Sequence, residues 1–214
     1  MAETPAAAPA EAVVLIHGLF RSRRSLSRLH RHLDREGYRV IDHPYRSTRA
    51  RISEHARRLG ERITALDGDP SIGRIHIVSH SMGGIVVRQA LAERVPRKLG
   101  RVVMLAPPNQ GSRRARRFAP LFEWLVRPLG ELSDEPGSEV RRIGVPAGIE
   151  IGIIAGSRDR TVPAETTHLP GESDFLVVKS GHTFIMNRRE VLEQVAHFLR
   201  HGRFKRPPPA APPE

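Results

Sequence analysis

Residues 75–87 read Ile-His-Ile-Val-Ser-His-Ser-Met-Gly-Gly-Ile-Val-Val, and the rest of the chain can be interpreted around them. A β-branched run ends at a small residue, and two glycines then lead into a second apolar run with helical spacing. This pattern predicts a strand, a sharp turn with Ser81 at its apex, and a helix. A serine in such a turn lies above the carboxyl edge of a sheet, at the positive end of the helix. Ser81 is therefore a candidate nucleophile.

Strand-like and helix-like segments alternate on both sides of this turn. Short apolar strands without polar alternation, separated by amphipathic helices, indicate a parallel sheet covered on both faces. The sequence thus predicts an α/β fold with a six-stranded, mainly parallel sheet. The predicted strands are 13–16, 38–41, 75–78, 101–105, 149–155 and 175–178. Ser22 or Ser25 is the expected cap of the first helix, and Asn187 with Glu190 is the expected capping box of the last.

Three segments depart from this alternation. Residues 1–12 and 204–214 are rich in alanine and proline and are expected to be disordered tails around a domain at 13–203. Residues 110–148 form an insertion after the fourth strand. It carries four arginines and several large apolar side chains: Arg113, Arg114, Arg116, Arg117, Phe118, Leu121, Phe122, Trp124 and Leu125.

Two interpretations of the insertion remain open. It could be a lid whose apolar side chains line an acyl site while its arginines contact anionic lipid head groups. It could equally be an ordinary helix that buries the same side chains on the core.

The composition limits the classes of function. The chain has 214 residues, 39% of them hydrophobic, which is enough for one well-filled core. It has no cysteine, which excludes disulfides, thiolate metal sites and a cysteine nucleophile.

The chain is strongly basic. Lys+Arg is 35 against 23 Asp+Glu, for a net charge of +12, but the excess is mostly arginine and is scattered. No specific nucleic-acid partner is therefore expected. Separately, the sequence implies no metal or organic cofactor. No signal peptide or membrane span is recognisable, which predicts a cytoplasmic protein.

Two further strand ends carry the partners that Ser81 needs. A serine hydroxyl attacks a carbonyl only when a base takes its proton, and His182 follows the last strand. Asp159 follows the fifth strand, where its carboxylate can orient the imidazole. Asp174 is the main rival to Asp159, but it precedes its strand and so lies at the wrong edge. His80, next to Ser81, is expected to point its side chain away from the serine hydroxyl.

An oxyanion hole completes the predicted site. The backbone N–H of Met82, at the start of the helix, is one expected donor, and that of Leu19, after His17-Gly18, is the second. Phe20 is close by and is a candidate substrate-binding residue. Ser79 stands where glycine is usual in this turn, and we expect the turn to survive because serine is also small.

In the order Ser81, Asp159 and His182, the chain resembles the α/β-hydrolase family over residues 13–203. Residues 15–19, 79–84, 106–112 and 180–182 look most like its small bacterial lipase-like and esterase members. The resemblance implies a minimal form of the fold, without the first two antiparallel strands of larger members. It also implies carboxylic-ester hydrolysis through an acyl-enzyme.

Three functions follow as hypotheses. The leading one is a serine esterase or lipase acting on a small-molecule or lipid ester. The second keeps the triad and changes the reaction to acyl transfer, or to thioester or amide hydrolysis. The third is a catalytically silent scaffold that binds lipid, nucleic acid or a protein partner. The complete set of catalytic residues argues against the third.

Overall fold

The computed structural model of the chain describes residues 8–111 and 142–206. Six parallel strands form one sheet in the order β2-β1-β3-β4-β5-β6. The strands are β1 (Ala10–Ile16), β2 (Arg39–Asp42), β3 (Ile72–His80), β4 (Leu99–Leu105), β5 (Ile151–Gly156) and β6 (Asp174–Val178). The predicted six-stranded α/β fold is confirmed.

Four α-helices flank the sheet in the described parts of the chain. They are α1 (Ser27–Arg35), α2 (Ile52–Gly68), α3 (Met82–Glu93) and α4 (Arg189–His201). Three short 3₁₀ helices lie at Arg23–Leu26, Ala164–Thr166 and Ile185–Asn187. None of the helices in residues 8–111 and 142–206 is long and apolar enough to cross a membrane.

The two faces of the sheet bury separate hydrophobic clusters, which explains why the central strands carry apolar residues on both sides. Val14 and Ile16 of β1 point to one face, where they pack with α2 and α3. Val13 and Leu15 point to the other face, where they pack with α1 and α4. Because both faces are covered by helices, successive residues from Ala12 to Ile16 of β1 are all buried, whereas the edge strands β2 and β6 are only partly buried.

Some residues that the sequence analysis assigned to tails belong to the folded domain. β1 begins at Ala10 and pairs with Ile72, so the last residues of the segment 1–12 belong to the sheet. At the other end, Phe204 is 2% exposed and packs on Phe198, with ring centroids 4.9 Å apart. Arg206 forms an ion pair with Asp174 at the start of β6. Apolar burial and this ion pair hold residues that composition alone assigned to a tail.

The predicted helix caps are also wrong. Ser22 makes no side-chain capping bond, and the Ser25 hydroxyl donates to the Ser22 carbonyl within a 3₁₀ turn. Asn187 lies in another 3₁₀ turn, and α4 begins two residues later without a side-chain cap. The residues of the insertion that support the lid hypothesis, 113–125, lie outside the described residues.

Candidate active site

Ser81 occupies a single-residue turn between β3, which ends at His80, and α3, which begins at Met82. Its φ of 53° and ψ of −130° are disfavoured for a residue with a side chain. Two hydrogen bonds hold this conformation. The Ser81 N–H donates to the Leu105 carbonyl at 2.9 Å, and the Ser81 carbonyl accepts from the Gly84 N–H at 2.8 Å.

The turn requires very small residues on its helical side. A Cβ atom on Gly83 would lie 2.7 Å from the His17 carbonyl oxygen and 2.8 Å from that of Ile16. On the strand side, Ser79 is accommodated: it is 1% exposed, and its Oγ lies 3.5 Å from the position that a Cβ atom on Gly84 would take. The turn therefore forms with serine in place of the usual glycine.

Ser81, His182 and Asp159 form a continuous hydrogen-bonded chain. The Ser81 Oγ is 2.9 Å from His182 Nε2, and His182 Nδ1 is 2.7 Å from Asp159 Oδ2. The other Asp159 oxygen accepts the N–H groups of Thr161 and Val162, both at 2.8 Å. A carboxylate only accepts hydrogen bonds, so Nδ1 carries the imidazole proton and Nε2 is free to accept the serine hydroxyl.

Asp174, the rival carboxylate, lies at the opposite edge of the sheet. It begins β6, accepts the Phe204 N–H at 2.7 Å and pairs with Arg206. Its bonds fasten the C-terminal segment, and it is not the partner of His182.

The loop after β1 lies directly against this turn. A Cβ atom on Gly18 would be 2.9 Å from the Ser81 Cβ, so only glycine allows the approach. Leu19 follows at once, and Met82 is the first residue of α3, where backbone N–H groups lack acceptors within the helix. Phe20 has a φ of 56° and is 68% exposed, and Phe184, two residues after His182, is 66% exposed.

A tyrosine that the sequence analysis did not single out supports this loop. The Tyr45 hydroxyl donates to the His17 carbonyl at 2.5 Å, and its ring stacks on the His17 ring with centroids 4.4 Å apart. The His17 Nδ1 is 2.9 Å from the Gly18 carbonyl oxygen, which can only accept, so Nδ1 is the donor. The carbonyl groups of His17 and Gly18 are thus held by the Tyr45 hydroxyl and the His17 ring. The only sign of this role in the sequence was that Tyr45 is an aromatic residue just after the second strand.

His80 bonds to the loop that carries His182. Its Nε2 donates to the His182 carbonyl at 3.1 Å, so the ring is directed at the backbone of that loop, consistent with the expectation that it avoids the serine hydroxyl. Burial, reinforced by the neighbouring His182, lowers the pKa of His80 to about 3. Burial similarly lowers the pKa of His43 to about 4, and it lowers the pKa values of His17 and His55. These four imidazoles are therefore neutral at pH 7.

The site offers no arrangement for a metal ion in the residues that the structure describes. Within 8–111 and 142–206, no three histidine, aspartate or glutamate side chains are grouped as possible ligands. The groups available for chemistry at the sheet edge are the serine hydroxyl, the imidazole, the carboxylate and the backbone N–H groups.

Comparison with known proteins identifies the family of the chain. The sequence model of the alpha/beta hydrolase family matches residues 13–146, which is more than half of the chain. No curated protein matches the chain in sequence.

Similar solved structures include the mature form of the Bacillus licheniformis lipase BlEst2, with a TM-score of 0.68, 16% identity and 94% coverage of each chain. The Pyrococcus furiosus esterase Pf2001 has a TM-score of 0.61 at 22% identity, covering 90% of this chain and 82% of that one. MGS-MChE2, an alpha/beta hydrolase enzyme from the metagenome of lagoon sediments at Mar Chica, Morocco, has a TM-score of 0.65 at 17% identity, covering 89% and 90%. Identities this low show the shared fold, and together with the family match they lead to one conclusion. The chain belongs to the alpha/beta hydrolase family.

Proposed function

We propose that this protein is a serine hydrolase that cleaves carboxylic esters, as a carboxylesterase or lipase-like enzyme, through an acyl-enzyme intermediate. The observation that carries the proposal is the unbroken hydrogen-bonded chain from Asp159 through His182 to Ser81, at a turn between a strand and a helix. The similar structures that are named as a lipase and an esterase support the choice of an ester substrate.

In the first half of the reaction, the Ser81 Oγ attacks the ester carbonyl while His182 Nε2 takes the hydroxyl proton. Asp159 holds the proton on Nδ1 and stabilises the imidazolium that forms. The negative charge on the tetrahedral intermediate is stabilised by the N–H groups of Leu19 and Met82. The C–O bond of the alcohol then breaks, the alcohol leaves with the proton from Nε2, and the acyl group remains on Ser81.

In the second half, water replaces the alcohol. His182 takes a proton from the water as its oxygen attacks the acyl carbonyl, and the same N–H groups receive the oxyanion. The acid leaves and the proton returns to the Ser81 oxygen. Phe20, exposed beside the proposed Leu19 donor, is positioned to contact an apolar part of the substrate.

Replacing the nucleophile provides the test. We expect Ser81→Ala to lower kcat for p-nitrophenyl butyrate by at least about 10⁴-fold, because no other group in the proposed mechanism can form the acyl-enzyme. Ser53→Ala removes an exposed hydroxyl from α2 and serves as the matched control. A longer-chain ester assayed in parallel reports the acyl preference.

The products separate hydrolysis from acyl transfer. Free butyrate released in equal amount to p-nitrophenol supports hydrolysis, whereas an ester formed with an added alcohol would indicate a transferase. Ester cleavage that survives unchanged in Ser81→Ala would contradict the mechanism.

A further inference from the structure

The fold collects exposed positive charge around the candidate active site. Four segments lie at the carboxyl edge of the sheet, at 17–26, 43–51, 157–163 and 179–188. They carry ten cationic side chains, all exposed, which we call the cationic rim: Arg21, Arg23, Arg24, Arg46, Arg49, Arg51, Arg158, Arg160, Lys179 and Arg188. In the sequence this charge looks scattered, and it is the parallel topology that brings the segments to one edge.

The rim has almost no negative charge of its own. The single carboxylate in the four segments is Asp159, which is 6% exposed and bonded to His182. The acidic residues next to these segments are Asp42, which ends β2 and lies 3.2 Å from His30, and four residues of the helices that follow: Asp34, Glu54, Glu165 and Glu190. Within the described residues, none of the ten rim cations forms an ion pair with a carboxylate.

The opposite edge of the sheet is different. There, Arg39 pairs with Asp69 at 3.6 Å and Arg101 pairs with Glu150 at 2.9 Å. Arg206 pairs with Asp174 in the same region. Among the described residues, these three arginines outside the rim are ion-paired, whereas the ten rim cations are not.

Part of the rim lies within a few residues of the reacting groups. Arg158 and Arg160 flank Asp159, Lys179 precedes His182 by three residues, and Arg21 follows Leu19 by two. The charge of Arg21 is one of the causes, after burial, that lower the pKa of His80 beside Ser81. Exposed charges interact over about 10 Å at 0.1 M salt, and an edge that carries one sign of charge attracts ligands of the opposite sign.

We propose that the cationic rim makes the site selective for small esters that carry a carboxylate or a phosphate in addition to the ester group. This inference rests on the proposed ester hydrolase function and names its substrate class. Guanidinium groups bind carboxylates and phosphates through paired N–H donors, and a cleft with one sign of charge raises the local concentration of the opposite charge.

A matched pair of substrates tests the proposal. 4-Acetoxybenzoate is an anion, and 4-acetoxybenzamide has nearly the same shape without the charge. With each rate divided by the hydroxide-catalysed rate of the same ester, we expect kcat/KM to favour the anion by about 10-fold at low salt. The preference should shrink toward unity at roughly 0.5 M salt, where charges are screened within a few ångströms.

Charge-matched variants assign the effect to the rim. Arg21→Gln/Arg23→Gln/Arg24→Gln removes three rim charges and should abolish most of the preference for the anion. Arg74→Gln/Arg94→Gln/Arg203→Gln removes three exposed charges outside the four segments and should leave the preference intact. Equal preference in the two triple variants, or none in the wild-type protein, would overturn the proposal.

A binding measurement separates this proposal from the proposed reaction. Ser81→Ala is titrated with both compounds by calorimetry at pH 7. Tighter binding of the anion, lost when the three rim charges are removed, supports the substrate class even if the wild-type protein cleaves neither ester. Equal binding of the two compounds overturns it. A second outcome also overturns it: no preference for the anion, but tight binding of duplex DNA or of phosphatidylglycerol vesicles that depends on the rim charges. That outcome would assign the rim to a macromolecular partner.

Discussion

Tyr45 lies outside the hydrogen-bonded chain from Asp159 to Ser81, yet it contacts the loop that is proposed to bind the oxyanion. Its hydroxyl bonds to the His17 carbonyl, while the stacked His17 ring bonds to the Gly18 carbonyl. In a trans peptide group the C=O and the following N–H point in opposite directions. Fixing the Gly18 carbonyl therefore fixes the direction of the Leu19 N–H.

We predict that Tyr45→Phe lowers kcat about 10-fold or more with little change in KM, because a small displacement of an oxyanion donor weakens transition-state binding more than substrate binding. Steady-state kinetics on p-nitrophenyl butyrate measure the split between kcat and KM. The chain has two tyrosines, and Tyr38 lies at the other end of β2 with its ring edge on His76. Tyr38→Phe is thus the natural control, and equal losses of kcat in both variants would show that Tyr45 has no special effect on the site.

At the scale of elements, the contact between β1 and α3 determines the position of Ser81, the proposed nucleophile. The first turn of α3 touches the backbone at the end of β1, because Gly83 faces the carbonyl oxygens of Ile16 and His17. This close approach brings the loop after β1 against Ser81. The candidate site therefore assembles when β1 and α3 pack together.

Two glycines within helices allow this contact to be tested. Gly83→Ala is expected to destabilise the protein by about 1–3 kcal/mol, because its methyl group would press on backbone atoms that cannot move away easily. A methyl group on Gly60, in α2, would meet no atom of a neighbouring element within 4 Å. Gly60→Ala is expected to stabilise the protein by up to about 1 kcal/mol through helix propensity. Urea unfolding of both variants measures the difference, and equal shifts would contradict the crowding at Gly83.

The elements and the candidate site were predictable to different degrees. The apolar runs predicted six strands, and that number is confirmed. The runs of the central strands are buried on both faces, and those of the edge strands β2 and β6 are partly buried. The sequence analysis selected three candidate site residues because each follows a predicted strand, and parallel strands all end at one edge of the sheet. They are Ser81, Asp159 and His182. The support from Tyr45 was not predictable, because it depends on how two loops meet. The predicted capping box at Asn187 was wrong. Asn187 ends a 3₁₀ turn in which Ile185 and Met186 are buried, and α4 begins only at Arg189.

For the molecule as a whole, buried neutral histidines link stability to pH. Burial lowers the pKa of His43 to about 4 in the folded protein, whereas an unfolded chain has its histidine pKa near 6.5. Below about pH 6.5 the unfolded state therefore binds more protons than the folded state. The stability that His43 contributes is present above that pH and is lost as the pH falls.

We predict that the free energy of unfolding falls between pH 7 and pH 5, with His43 alone accounting for about 2 kcal/mol of the loss. His43→Phe should fall less steeply over the same range, as measured by urea unfolding at each pH. His168→Gln alters an exposed imidazole and should keep the wild-type slope. A wild-type slope in His43→Phe would show that His43 does not carry this dependence.

The hydrogen bond between Ser81 and His182 joins residues that are 101 positions apart, and the loop near residue 17 also contributes to the same site. During synthesis, Ser81 leaves the ribosome long before His182 does. Under the proposed function, a nascent or truncated chain that ends before β6 would therefore lack the proposed base and would cleave no ester in its surroundings. The same separation suits the protein to fragment complementation. Under the proposed function, two inactive pieces divided between Ser81 and His182 would regain ester hydrolysis only by assembling the whole sheet, so turnover would report on their association.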